Sequence, residues 1–215
     1  MARARCGPEA GIMARLKIGL LGGSFNPAHE GHRHISLLAL QQLRLDQVWW
    51  LVSPQNPLKP QAGMAPFAHR LAGAKAMARH PRIRASDLEA RLGTRFTVDT
   101  LAALRRRRPR HAFVWLMGAD NLVQLPRWRR WREIFESMPL AIFNRAGPDQ
   151  DGGHRALAGP AAARFARYRI PRPAELPLTP PPAWCFLFSR LHAASSTAIR
   201  SNGDGAKETV DHKLK

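Results

Sequence analysis

The chain has 215 residues, of which 34 are Lys or Arg and 15 are Asp or Glu, so its formal charge is +19. At 45% apolar residues it can build a core without disulfides or a structural metal, which excludes wholesale disorder. No stretch approaches the roughly 20 apolar residues of a membrane helix, and the two cysteines, Cys6 and Cys185, offer neither a disulfide framework nor a metal-ligand spacing.

In chain order, residues 1–15 carry positive charge without the apolar run of a secretory signal. They read as a flexible extension, with Met13 as a second plausible start, and a reducing cytoplasm is the simplest home for the protein. Residues 17–21 (KIGLL) read as a buried strand, and 32–45 as a helix with Ile35, Leu38, Ala39 and Leu43 at helical spacing. A strand is expected at 47–52 (QVWWLV), an amphipathic helix at 67–80, and a strand with an irregular exit at 83–92. A helix at 97–107 leads into a strongly buried strand at 112–117 (AFVWLM), then a helix over 125–138 and a strand at 140–144. Segment 147–182 reads as a Pro- and Gly-rich excursion with one short helix near 161–168. A last strand at 184–188 precedes a helix beginning near Ser195, and 203–215 is a polar tail. Strand–helix–strand units of this size imply one α/β domain over residues 16–202, a Rossmann-like, doubly wound parallel sheet with helices on both faces. Ligands of such sheets bind beyond the carboxyl ends of the strands, so the strand-to-helix turns are the places to search.

The first such turn reads GGSFNPAHEGH, residues 22–32. Gly22 and Gly23 let a ligand approach the main chain, and Asn26-Pro27 is a turn signal. His29 and His32, three apart, fall on one side of a helix's first turn, and Gly31 between them leaves room for a ligand. A helix N-terminus offers free N–H groups and a positive dipole end, which suit phosphate. Two imidazoles add directional donors for charge that develops in a transition state. Histidines at helix starts also serve simply as caps or sit in solvent, and His34 points elsewhere. Near the other end stands AASSTAIRS, residues 193–201, in which Ser195, Ser196 and Thr197 are good helix caps and Arg200 lies one turn after Ser196. This reads as a second anion site or as an ordinary capped helix.

GGSFNPAHEGH resembles the GGxFxPxHxGH signature of the H/T-x-G-H nucleotidyltransferase superfamily, with Asn26 where one common form has Asp, and AASSTAIRS resembles its I-S-S-T-x-I-R motif. VSPQNPLK (52–59), RLGTRFTVDTL (91–101), MGADNLVQLPRW (117–128) and FNRAG (143–147) resemble segments of the bacterial nicotinate-nucleotide adenylyltransferase family. That resemblance implies adenylyl transfer from ATP to nicotinate mononucleotide, with deamido-NAD and pyrophosphate as products. It implies that His29, His32 and Arg200 act on the phosphates, and that Gly22, Gly23, Ser24, Phe25, Gly118, Asp120, Ser195, Ser196 and Thr197 hold ATP. It places Lys59, Phe96, Thr97, Trp128 and Arg145 around the mononucleotide, with Trp128 stacked on the nicotinate ring. Mg²⁺ would come bound to the phosphates and need few or no protein ligands. Read without the family, Asp120 at a strand's carboxyl end could hold a ribose or cap a helix. Trp128 and Trp131, three apart on one expected helix, could be core or could stack on a flat ring.

Other acceptors of the same superfamily, nicotinamide mononucleotide or phosphopantetheine, remain rival readings, and so does a basic nucleic-acid-binding protein. The charge favours the last one weakly, because 28 of the 34 basic residues are arginine in an Ala- and Pro-rich chain, a pattern that base composition alone produces. A polyanionic nucleotide explains a positive cleft equally well. Self-association is left open by the sequence.

Overall fold

Strands that are apolar at nearly every position have to be covered on both faces. The structure, a computed structural model that describes residues 15–55, 63–144 and 152–188, meets this need with a six-stranded, all-parallel sheet. Its strands are β1 (Lys17–Gly23), β2 (Gln47–Val52), β3 (Ile83–Ser86), β4 (Ala112–Gly118), β5 (Leu140–Phe143) and β6 (Trp184–Leu187), in the order β3-β2-β1-β4-β5-β6. The order reverses between β1 and β4, so a crevice opens at their carboxyl ends. Helices α1 (Glu30–Gln42) and α2 (Phe67–Ala78) cover one face through Ile35, Leu40, Ala74 and Ala78. The other face carries α3 (Leu88–Leu92), α4 (Thr97–Arg107), α5 (Ala119–Gln124), α6 (Trp131–Ser137), α7 (Gly152–Leu157) and α8 (Pro160–Arg164). Among the described residues no helix is long and apolar enough to cross a membrane. Cys185 is a free thiol buried in β6, and burial pushes it up to about 12, so it is chemically quiet.

Three expectations need correction. The chain at 83–92 is not one strand: β3 ends at Ser86, and Leu88 and Leu92, one helical turn apart, pack α3 onto the sheet before Gly93 closes it at φ 64°. The helix expected over 125–138 is broken. Pro126 sits in a 3₁₀ turn (Leu125–Arg127), and Arg130 takes a left-handed φ of 48°, so α6 starts only at Trp131. Trp128 and Trp131 are therefore not on one helix. Among its described residues the excursion carries two short α-helices, α7 and α8, and two 3₁₀ turns (Ala166–Tyr168, Pro173–Leu178), where one helix near 161–168 was expected. The helix expected near Ser195 and the tail at 203–215 lie outside the described residues.

Gly22 also has a packing purpose within the sheet. A Cβ there would lie 2.4 Å from Cη2 of Trp115, whose ring leans from β4 across β1. The missing side chain admits an indole, which is buried, before it admits any ligand. Gly22→Ala should therefore cost about 1–3 kcal/mol, read as a lower urea midpoint, and Trp115→Phe in the same chain should recover part of that loss. An unchanged midpoint in Gly22→Ala would refute the packing role.

Candidate active site

At the end of β1 the chain bends through Ser24 and Phe25, and Phe25 has a φ of 47°. That left-handed angle is unfavourable for a bulky residue. It persists because the ring is buried and stacked on Trp50, with centroids 5.1 Å apart and planes at 16°. The Phe25 ring is therefore part of the core, and only its backbone can face a ligand. The His32 ring packs against both aromatic rings, 4.7 Å from the Phe25 centroid and 5.9 Å from that of Trp50. Trp50 donates its indole N–H to Ser36 Oγ at 2.8 Å, and the Ser36 hydroxyl donates to the His32 carbonyl at 2.8 Å. A buried aromatic stack thus fixes both the backbone and the ring of His32.

His29 lies one residue before the first turn of α1, as its N-cap. Nδ1 of His29 accepts the Gly31 N–H at 3.1 Å, and Nδ1 of His32 accepts the His29 N–H at 3.3 Å, a reciprocal capping box made by two imidazoles. The hydrogen-bond pattern assigns the tautomer. With Nδ1 used as an acceptor, the proton of each neutral ring sits on Nε2, on the side away from the cap. The rings lie 3.9 Å apart. His29 is only 2% exposed and His32 is half-buried, so His32 has the more accessible edge. Two N–H donors and the positive end of a 13-residue helix thus converge beside the crevice.

Two further side chains anchor this turn. Asn26 donates through Nδ2 to the Gly63 carbonyl at 3.0 Å and accepts the Ala65 N–H on Oδ1 at 3.2 Å. An aspartate could make only the second bond, which gives a reason for Asn at a position where the superfamily often has Asp. Arg70, on the buried face of α2 and 4% exposed, donates to four carbonyls: Ala65 from Nε at 2.9 Å, Ser24 and Ser53 from Nη1 at 2.6 and 2.8 Å, and Pro54 from Nη2 at 2.7 Å. The sequence reading passed over it. The available signal was its spacing, since Arg70 shares one helical stripe with Ala74 and Ala78.

Across the crevice, β4 ends at Gly118, which caps α5, and Asp120 is an exposed carboxylate in the first turn of that helix. It does not act as the cap. Phe96 is the N-cap of α4 and Thr97 its first residue. The Phe96 ring lies under the Arg129 guanidinium at 4.7 Å, and Arg130 pairs with Asp99, so the Trp128–Arg130 turn is drawn against the start of α4. This brings Trp128, half-buried, into the neighbourhood of Phe96 and Thr97 even though it is not on the expected helix. Next to them a cleft of about 290 Å³ is lined by Pro54, Gln55, Thr94 and Arg95. Lys59, Arg145, Ser195, Ser196, Thr197 and Arg200 lie outside the described residues. Among the described residues no three His, Cys, Asp or Glu side chains gather as a metal cluster.

A second residue that the sequence reading missed lies on α3. Glu89 of α3 is 7% exposed. Burial raises its carboxyl from 4.5 to about 7, and a hydrogen bond from the Ser53 side chain draws it back down. A folded-state value above the unfolded one means that the folded chain holds an extra proton between about pH 4.5 and 7, so this stabilisation is complete below that window and is lost as pH rises through it. Glu89→Gln should therefore gain stability relative to the parent as pH rises from about 4.5 to 7, by on the order of 3 kcal/mol at most. Denaturation midpoints over that range check it, and parallel profiles for the two proteins would refute it.

A cytidylyltransferase-like family model matches residues 20–202. The probable nicotinate-nucleotide adenylyltransferase of Parvibaculum lavamentivorans is 56% identical over 190 residues, which are 87% of this chain and 92% of the relative. That of Bradyrhizobium sp. is 48% identical over 197 residues, 91% of this chain and 100% of the relative. The solved nicotinic acid mononucleotide adenylyltransferase of Plasmodium falciparum, complexed with NaAD, has the same fold at a TM-score of 0.62 and 16% identity, over 86% of this chain and 82% of that one. With both sides of the crevice inside the matched segment, the chain belongs to the cytidylyltransferase-like family, among its nicotinate-nucleotide adenylyltransferases.

Proposed function

We propose that the chain transfers the adenylyl group of ATP to nicotinate mononucleotide, giving deamido-NAD and pyrophosphate, as a step in cytoplasmic NAD biosynthesis. The observation that carries this reading is the imidazole capping box at the switch point of the sheet, which sets both histidines as Nε2–H tautomers at a helix N-terminus. Relatives at 48–56% identity that carry the same activity in their names support it.

The nucleophile is an oxygen of the mononucleotide phosphate. It is already anionic, so the transfer requires no general base. That oxygen bonds to the α-phosphorus of ATP while the bond from phosphorus to the pyrophosphate oxygen breaks. The protein's share is positioning and stabilisation of charge. His32, with His29 behind it, donates to the phosphate oxygens as they gain charge. Gly22, Gly23, Ser24 and the Phe25 backbone line the nucleotide, and Gly118 and Asp120 meet it from β4. Phe96, Thr97 and Trp128 receive the nicotinate side. Lys59 and Arg145 take the mononucleotide, and Ser195, Ser196, Thr197 and Arg200 the leaving phosphates, by resemblance. The described donors at the β1 exit are imidazoles and hydroxyls, a poor set for a hard cation, which fits Mg²⁺ arriving with the triphosphate as part of the substrate.

Purified chain with Mg-ATP and each acceptor in turn should release pyrophosphate with nicotinate mononucleotide. Release with nicotinamide mononucleotide alone would overturn the substrate, and none with any acceptor would overturn the enzyme. His32→Ala and His32→Gln should both lose about 100- to 1000-fold in kcat. Glutamine at this position can still reach the His29 N–H, so His32→Gln should keep the parent Tm. Turnover near the parent rate in His32→Gln would sink the role of the imidazole.

A further inference from the structure

We infer that Arg70 is a positioning residue for the transfer: its guanidinium fixes the turn on the nucleotide side against a wall of the acceptor cleft, and so sets how the two substrates face each other. The inference rests on the proposed function, in which Ser24 lies on the ATP side and the cleft beside α4 receives the nicotinate side of the acceptor.

The two sides leave the sheet as separate chains. β1 ends at Gly23 and β2 at Val52. Just beyond, the Ser53 N–H donates to the Gly23 carbonyl at 2.9 Å, and among the described residues no further backbone bond joins the two exits. From there the side chain of Arg70 makes the connection. Its Nη1 donates to the Ser24 carbonyl at 2.6 Å and to the Ser53 carbonyl at 2.8 Å, so one nitrogen spans both exits. Its Nη2 donates to the Pro54 carbonyl at 2.7 Å, and Pro54 lines the cleft. Its Nε donates to the Ala65 carbonyl at 2.9 Å, and the Ala65 N–H is held in turn by Asn26 Oδ1 at 3.2 Å.

The donors of a guanidinium are fixed in one plane, so Ser24 cannot shift against Pro54 without bending or breaking one of these bonds. The base from which Arg70 reaches is firm as well. Its N–H donates to the Pro66 carbonyl at 3.1 Å in the first turn of α2, and Ala74 and Ala78 seat the same helix in the core. All four of the guanidinium's bonds go to main chain, so Arg70 acts through Ser24 and Pro54. Each side keeps its own lining residues when the link is lost, so binding of either substrate alone should change little. What depends on the link is the placement of a phosphate oxygen of one substrate against the α-phosphorus of the other, which is felt in kcat. A rival account is charge, because a cation behind Ser24 attracts phosphate. Lysine separates the two, since it keeps the charge and loses the fork.

The test is steady-state kinetics of the full chain with Mg-ATP and nicotinate mononucleotide, well below the Tm of each variant. Arg70→Lys should lower kcat about 10- to 100-fold, with KM for ATP and for the mononucleotide each within about threefold of the parent. Arg70→Ala should lose at least as much, and millimolar guanidinium should restore part of its kcat where ammonium at the same ionic strength does not. Where Arg70→Ala does not fold, Arg70→Lys decides alone. Parental kcat in Arg70→Lys, a loss carried by KM with kcat unchanged, a rescue that does not distinguish guanidinium from ammonium, or a lysine variant that does not fold would each overturn the inference while leaving the proposed reaction standing. Failure of the parent chain to use nicotinate mononucleotide would overturn both.

Discussion

A single enclosed guanidinium holds the nucleotide end of this molecule in shape. Where parallel strands stop pairing, their chains peel away and leave carbonyl oxygens without ladder partners. Arg70 collects four of them: Ser24 after β1, Ser53 and Pro54 after β2, and Ala65 before α2. Lysine could not replace it, because a compact ammonium on a flexible stem has three donors and no planar fork. Among the described ion pairs none involves Arg70; its charge meets carbonyl dipoles and the face of the Phe67 ring, 5.6 Å away. The positive charge directly behind the Ser24 backbone then favours an anion in front of it.

On that base, the same atoms serve folding and chemistry. A helix start needs acceptors for its first N–H groups, and serine, threonine or aspartate would supply them at less cost in space. Here two imidazoles do so, and by accepting on Nδ1 they turn the opposite nitrogen into a donor. The cap fixes the tautomer, and the Phe25–Trp50 stack fixes the ring. The transition state then meets donors that need little reorganisation.

The strands were legible because their residues are apolar throughout. QVWWLV and the helix beginning TVDTL match the observed bounds of β2 and α4. The segment 125–138 read as one helix, and two things broke it: Pro126 holds its first turn as 3₁₀, and Arg130 turns left-handed and pairs with Asp99, 31 residues away. The two histidines were legible as a motif but not as a reciprocal cap. Arg70 and Glu89 were missed for a common reason. Periodicity assigns charged residues to the outer face, and only the folded chain shows which of them is enclosed and what it bonds. The serine motif near the other end, with Ser196 and Arg200, falls outside the described residues and stays a reading from resemblance.

The large positive charge gains a clearer meaning from these contacts. Arg70 lies under the nucleotide loop, Arg129 lies over Phe96, and Arg130 ties α6 to α4, so three arginines that composition alone would dismiss have structural work at the crevice. Arg70 bonds the carbonyls of Ser24 and Ser53 through one nitrogen and so ties the exit of β1 to the exit of β2. One charge therefore orders the chain on the nucleotide side of the crevice. In a reaction that depends on placing one phosphate oxygen against another phosphorus, a rigid common reference for both substrates is what the protein can contribute most directly.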